Sequence, residues 1–196
     1  MEERLKKQMD FILEMDKEKE IGRQTYILKG ERKENDAEHS WHLALMTMLL
    51  SEYANEKIDV AKTMAMVLIH DLIEIDAGDT YAYDDVGNAS KRERELKAAE
   101  RIFNILPEDQ AKHFRNLWDE FEEAETPEAK FAVTMDSVQP LMLNDASDGK
   151  AWVEHNVSAE KVIDRINKKI RPGSEILAEM TMRVVNENIE KGRLWE

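Results

Sequence analysis

The segment "HDLIEIDAGDT", residues 70–80, closes the apolar run "AMVLI" and turns acidic at once. A helix burying Met66, Val67, Leu68 and Ile69 has no packing need for an imidazole beside a carboxylate. Read as helix, His70 and Glu74 stand four apart on nearly the same face, and Asp71 flanks it. The arrangement suits a metal gripped by His70 and Asp71, with Glu74 one turn on to reach a water. A satisfied histidine with solvated acids at a helix end gives the same pattern, although acids near a helix C-terminus oppose its dipole. Further ligands are available elsewhere. His39 and His42 in "DAEHSWH" lie three apart at the start of the preceding long helix, so one can serve as ligand while the other packs. Asp136 sits among Phe131, Val133, Met135, Val138, Leu141 and Met142. It must either lie on an exposed face or find a partner, because burying an unpaired carboxylate is costly. Pro140 has no N–H for the carbonyl of residue 136, so a kink or helix end is expected there.

The elements that must position these residues are helical. Residues 4–15 place Leu5, Met9, Ile12 and Leu13 on one face, whereas 20–34 has a mixed pattern and reads as a connection. Asp36 is the expected N-cap of "AEHSWHLALMTMLLSEYA", and Asp59 caps "VAKTMAMVLIHDLIEI", which ends before Gly78. A polar loop is expected over 76–88 and a charged amphipathic helix over 89–105, its "KRERE" run forming a solvated face. Pro107 starts a helix to about Glu123, Thr126-Pro127 opens "EAKFAVTMDSVQPLML", and Ser158 caps "AEKVIDRINKKI". "RPGS" breaks the chain before a last helix to about Lys191. No repeat, low-complexity linker or strand pair is evident. The expected fold is all-α, one domain over 1–196 with about eight helices. Its motif-bearing core spans about 20–150, with C-terminal helices over 158–192 packing on it.

Composition bounds the partners. The 196 residues are 42% hydrophobic and 36% charged, with only 7 Gly and 4 Pro, a balance that favours helix. The absence of Cys removes disulfides and thiolate chemistry and fits a reducing, cytoplasmic setting. A net charge of −14 repels nucleic acid and anionic lipid. No apolar run approaches a membrane span, and "MEERLKKQMDF" lacks a signal-peptide core. A small phosphorylated substrate needs only a local cationic site and is compatible with that surface.

The order His39 … His70-Asp71 … Asp136 resembles the H…HD…D signature of the HD-domain metal-dependent phosphohydrolases. "HDLIEIDAGD" is similar to the H-D-x-x-E-x-x-x-G-D stretch of the 5′-deoxynucleotidases in that superfamily, and the likeness runs over roughly residues 5–150. The resemblance implies His39, His70, Asp71 and Asp136 as metal ligands, and Glu74 and Asp79 as acid/base or water-orienting residues. It implies Arg23, in "IGRQT", as the arginine that holds the substrate phosphate, and it makes a homodimer the plausible assembly. The known deoxynucleotidases carry an aromatic after that arginine that helps exclude a ribose 2′-hydroxyl; this sequence has Gln24.

The chemistry is coherent on its own terms. Two imidazoles and two carboxylates suit one divalent Mn, Co, Fe, Ni or Zn ion. Such an ion acidifies a bound water and neutralises phosphoryl charge. Glu74 can take the water proton, Asp79 can orient the water or protonate the leaving alkoxide, and Arg23 can stabilise phosphate oxygens. The expected activity is removal of phosphate from a small metabolite, foremost a (deoxy)nucleoside 5′-monophosphate. Hydrolysis of another nucleotide, a triphosphate or a signalling nucleotide, is the second reading. Enzymes acting on pyrophosphorylated signal nucleotides tend to follow HD with an adjacent Glu-Asp pair, which is missing here. A non-catalytic nucleotide- or metal-sensing module is the third, and the retained Glu74 and Asp79 argue against it. His113 and His155 read as structural or surface residues, and Trp41 reads as core rather than as a base-stacking platform.

Overall fold

The computed structural model describes residues 1–83 and 90–195. Helix α1 (Glu2–Met15) leads through a 3₁₀ turn (Asp16–Glu20) into a hairpin of β1 (Gly22–Tyr26) and β2 (Lys33–Asn35). Helices α2 (Asp36–Leu50), α3 (Val60–Ile69) and the short α4 (Glu74–Ala77) follow, then α5 (Lys91–Phe103), α6 (Glu108–Glu123) and α7 (Pro127–Ala146). The chain closes with α8 (Lys150–Glu154), α9 (Ala159–Arg165), a π-helical turn (Ile166–Ile170) and α10 (Glu175–Glu190). The fold is helical, as expected. Asp59, Thr126 and Ser158 each cap the helix assigned to them, accepting from the backbone N–H of Lys62, Ala129 and Lys161.

Helix α7 is the axis of the molecule. It is buried on nearly every side, from Ala129, Phe131 and Ala132 through Met135 and Val138 to Leu141. It packs against α2, α3, α6, α10 and the π turn. Around it lie Trp118, Phe103, Ile102, Leu43, Met66 and Ile73, all essentially inaccessible. The C-terminal segment is locked to this axis. The Thr134 hydroxyl lies within bonding distance of the Ile170 carbonyl (3.0 Å), and Ile166 and Ile170 are buried.

Four expectations are corrected. A strand pair exists: β1 and β2 are antiparallel, pairing Gly22 with Asn35 and Tyr26 with Lys33 across a register irregularity. It escapes a pattern search because its inward residues, Arg23, Thr25 and Glu34, are polar rather than apolar. Asp36 is not the N-cap of α2. Asn35 is, in a capping box with Glu38, and Asp36 is fully buried. The helix expected over residues 60–75 is divided, because α3 stops at Ile69 and a tight turn with Leu72 N–H to Ile69 O and Glu74 N–H to Asp71 O precedes α4. Of the kink or helix end expected at Pro140, the end does not occur, since α7 continues to Ala146. Residues 84–88 of the expected polar loop lie outside the described residues.

Exposure departs from the sequence pattern on two helices. Of the apolar residues in α1 only Phe11 is buried, and Leu5, Met9, Ile12 and Leu13 face outward. Trp41, expected in the core, is 64% exposed on α2. Among the described residues no helix is long and apolar enough to cross a membrane.

The close approach of the C-terminal segment to α7 makes one glycine indispensable. A Cβ on Gly173 would meet the Thr134 hydroxyl and stand 2.5 Å from the Lys130 carbonyl oxygen. Gly173→Ala is expected to lower stability by about 1–3 kcal/mol, the usual cost of overpacking. Denaturant midpoints for the two proteins check this, and an unchanged midpoint would show that the segment gives way freely.

Candidate active site

His70 is the C-cap of α3, and Asp71 begins the turn that follows it. His39 comes from the first turn of α2, and Asp136 from the middle of α7. Their side chains converge. His39 Nε2 is 3.1 Å from Asp136 Oδ1 and 4.0 Å from Asp71 Oδ2. His70 Nε2 is 3.1 Å from Asp71 Oδ2 and 3.7 Å from Asp136 Oδ1. The other nitrogen of each imidazole faces away from the cluster. His39 Nδ1 lies 3.1 Å from Gln139 Oε1, and His70 Nδ1 lies 2.9 Å from the Val67 carbonyl. With Nδ1 of each ring turned outward, Nε2 of each faces the carboxylates and can carry a proton toward them or, once that proton leaves, offer a lone pair to a cation. His70 Nε2 is buried and, despite the nearness of Asp71, makes no well-aligned hydrogen bond among the described residues. His39, His70 and Asp136 bring two imidazoles and a carboxylate close enough together to fit a divalent cation, and Asp71 Oδ2 stands 3.1 Å from His70 Nε2 beside them.

A second row of charge supports this cluster. Arg23 reaches in from β1 and donates through Nη1 to Asp36 (3.0 Å) and Asp71 (2.8 Å), with Glu34 3.5 Å from its Nε. Gln139 donates to Glu34 (2.8 Å) while its amide oxygen holds His39. His42 Nδ1 lies 3.3 Å from that same amide nitrogen, so it belongs to this supporting row rather than to the cluster. Asp36, Asp71 and Glu74 form a second group of converging carboxylates.

Burial and mutual charge set the acidities. Burial alone would depress the His70 imidazole, but Asp71 and Asp136 outweigh it and hold it well above its ordinary range. His39 moves up too, as Asp136 and Glu34 overcome burial and the Arg23 charge. Burial would raise Asp136, and its contacts with His39, His70 and Arg165 win and hold it well below the usual carboxylate range. Glu74 goes the other way. Burial first, then Asp71, Asp36 and Asp79, push it well above its ordinary value. Burial also lifts Asp79, against the pull of Arg23. Asp36 and Glu18 are both raised to about 7, chiefly by burial and then by the Asp71 charge. This is a cluster with more negative charge than its own cations offset.

The cluster borders a cavity of about 320 Å³, to which Arg23, His70, Asp71, Glu74, Asp79 and Asp136 all contribute. All the residues singled out in the sequence thus meet in one place, with fully buried His39 behind Asp136. Sequence reasoning missed other parts of the wall. Lys91 and Glu95, assigned to a solvated face, line the cavity, as do Arg165 and Lys169 from the C-terminal segment. Gln24 also faces it, its amide oxygen accepting from Lys33 (2.5 Å) and lying 3.2 Å from His155 Nε2. His155 in turn packs its ring 4.5 Å from that of Tyr81. An inward-pointing basic residue on an amphipathic helix gives no signal until its neighbours are known.

Comparison with known proteins agrees with this geometry. The solved structure of a predicted metal-dependent phosphohydrolase from Magnetospirillum magnetotacticum superposes with a TM-score of 0.94 at 45% identity, covering 98% of this chain and 96% of that one. A conserved hypothetical protein from Pyrococcus furiosus, at 22% identity and a TM-score of 0.57, shares the fold. Human 5′-deoxynucleotidase HDDC2 is 27% identical over 125 residues, 63% of this chain and 60% of that protein. The Dictyostelium discoideum protein of that name is 28% identical over 140 residues, 68% and 74% of the respective chains. The chain thus spans about 60% of the length of the first curated relatives it matches. The HD domain family model matches residues 15–178. With that match over most of its length, and His39, His70 and Asp136 brought together beside the His-Asp pair, the chain belongs to the HD-domain family.

Proposed function

We propose that the protein is a metal-dependent phosphomonoesterase that releases phosphate from a nucleoside 5′-monophosphate. The observation that carries this reading is the convergence of His39, His70, Asp71 and Asp136 beside a cavity that also holds Glu74 and Asp79. The names of the relatives support it: a metal-dependent phosphohydrolase along nearly the whole chain, and 5′-deoxynucleotidases along part of it. In this reading those four residues hold one divalent cation of the Mn, Co, Fe, Ni or Zn series. The cation supplies Lewis acidity toward water and the phosphoryl group. Glu74 accepts the proton of the attacking water; its raised proton affinity suits a base once a nearby cation offsets the surrounding negative charge. Asp79, on the loop after Gly78 (φ +75°), gives a proton to the departing 5′-oxygen. Arg23 orders Asp71 and Asp36 and faces the phosphate from the hairpin side. Gln24 sets a hydrogen-bonding amide where an aromatic would crowd a 2′-hydroxyl, which supports acceptance of ribonucleotides beside deoxyribonucleotides.

Residues 1–196 act as one HD domain in this proposal, supported by the packing of α10 and the π turn on α7. A homodimer is proposed with it, supported by the outward stripe of Trp41, Leu45, Met48 and Leu49 on α2.

Phosphate release from ribo- and deoxyribonucleoside monophosphates, assayed side by side with added Mn²⁺ or Co²⁺, tests the activity. Glu74→Ala is expected to lower kcat by about 10²–10⁴-fold with metal content retained. Asp136→Ala is expected to lose bound metal. If the wild type releases no phosphate with any of these cations, the hydrolase reading fails; if Asp136→Ala keeps its metal, the ligand assignment is wrong.

A pH series on metal-stripped protein tests the charge balance. Glu18 titrates at about 7 in the fold against an ordinary 4.5, so its contribution to stability is present below about pH 4.5 and lost as pH rises through 7. Tm is expected to fall from about pH 5 to about pH 8, and Glu18→Gln to remove on the order of 1–3 kcal/mol of that fall. Identical slopes for the two proteins would show that Glu18 is not under this strain.

A further inference from the structure

We propose that Arg165, from the C-terminal segment, is a second phosphate-binding residue of this site. The inference rests on the phosphomonoesterase reading and deepens it. Arg23 alone is poorly placed to balance a phosphate dianion. Its side chain is 12% exposed and already answers Asp36, Asp71 and Glu34. Its charge is largely spent on carboxylates that belong to the site itself. A substrate phosphate entering among Asp71, Glu74, Asp79 and Asp136 would need, besides any metal held there, a side-chain cation that is less committed.

Arg165 fits that requirement on three counts. It lines the cavity, and its side chain is 28% exposed there. Its ion pair with Asp136 is long, 3.4 Å from Nη2 to Oδ2, against roughly 2.7–2.9 Å for a tight charge-assisted bond. A metal on Asp136 would draw that carboxylate's charge to itself and loosen the pair further. The guanidinium would then stand beside the metal with donors free for phosphate oxygens, a planar fork suited to that anion.

The backbone around Arg165 is built to hold it there. It ends α9, and the next residue, Ile166, opens the π turn and is fully buried. The far end of that turn, Ile170, is pinned to α7 by the Thr134 hydroxyl, and Gly173 lets the two backbones approach. Thr134 lies two residues before Asp136 on α7, so one stretch of that helix places both the ligand and the arginine beside it. Local π-helical turns are frequent at functional sites. Lys169, in the same turn, extends the cationic wall outward.

The test uses the Co²⁺- or Mn²⁺-loaded protein with inorganic phosphate as the calorimetric probe, together with steady-state kinetics on a nucleoside monophosphate. Arg165→Gln is expected to weaken phosphate binding by about 10–100-fold and to raise KM by a similar factor, as for a lost charge-assisted bond. Metal content and thermal midpoint are expected to stay at wild-type values, and Arg165→Lys to fall between the two proteins. Phosphate affinity within twofold of wild type in a metal-loaded, folded Arg165→Gln protein overturns the proposal and leaves the hydrolase reading standing. Loss of metal in Arg165→Gln also overturns it, by showing that the residue acts through Asp136. A wild type that neither binds phosphate nor releases it from any nucleotide defeats the hydrolase reading, and this inference falls with it.

Discussion

Charge that is buried must be answered, and this molecule is organised around that demand. Asp71, Glu74, Asp36, Glu34 and Glu18 are all withdrawn from water within one region. Isolated carboxylates at that depth would be prohibitively costly. Arg23 meets three of them, and the imidazoles of His39 and His70 meet Asp71 and Asp136. Glu74 and Glu18 are accommodated differently, by holding their protons more tightly as burial and neighbouring acids raise both.

The surrounding helices serve the cluster by fixing where its members start. Helix α7 carries Asp136 on one turn and Gln139 on the next, so one element supplies a donor and the clamp on His39. The division between α3 and α4 has a similar effect. Ending α3 at Ile69 frees His70 and Asp71 from regular helical spacing and lets both face the same point, while α4 restarts in time to return Glu74. The hairpin, small as it is, brings Arg23 and Glu34 together from neighbouring strands and sets Arg23 against the cluster.

The sequence disclosed the chemistry more readily than its supports. His70, Asp71 and Asp136 stood out because polar residues interrupt apolar runs there, and their order matched a known signature. Helix starts were readable where a side chain could do only one job, as with Asp59, Thr126 and Ser158. Asp36 shows the limit. An aspartate before a helix serves equally as a cap or as a buried partner for a distant arginine, and only the fold shows that Asn35 takes the first role. Glu34, Lys91 and Arg165 carry no mark of their own, since their meaning depends on residues far away in the chain. Periodicity likewise identified an apolar face on α1 without indicating whether anything covers it; Leu5 and Ile12 remain open to solvent.

The outward-facing Nδ1 contacts of the two histidines carry a consequence for assembly. The Val67 carbonyl and the Gln139 amide hold both rings, and Arg23 holds Asp71 in the same way. The positions of these groups are therefore set by contacts within the polypeptide. A cation held here, as proposed, would have to replace protons that neighbouring carboxylates help the two imidazoles to keep. Its binding would then weaken as pH falls.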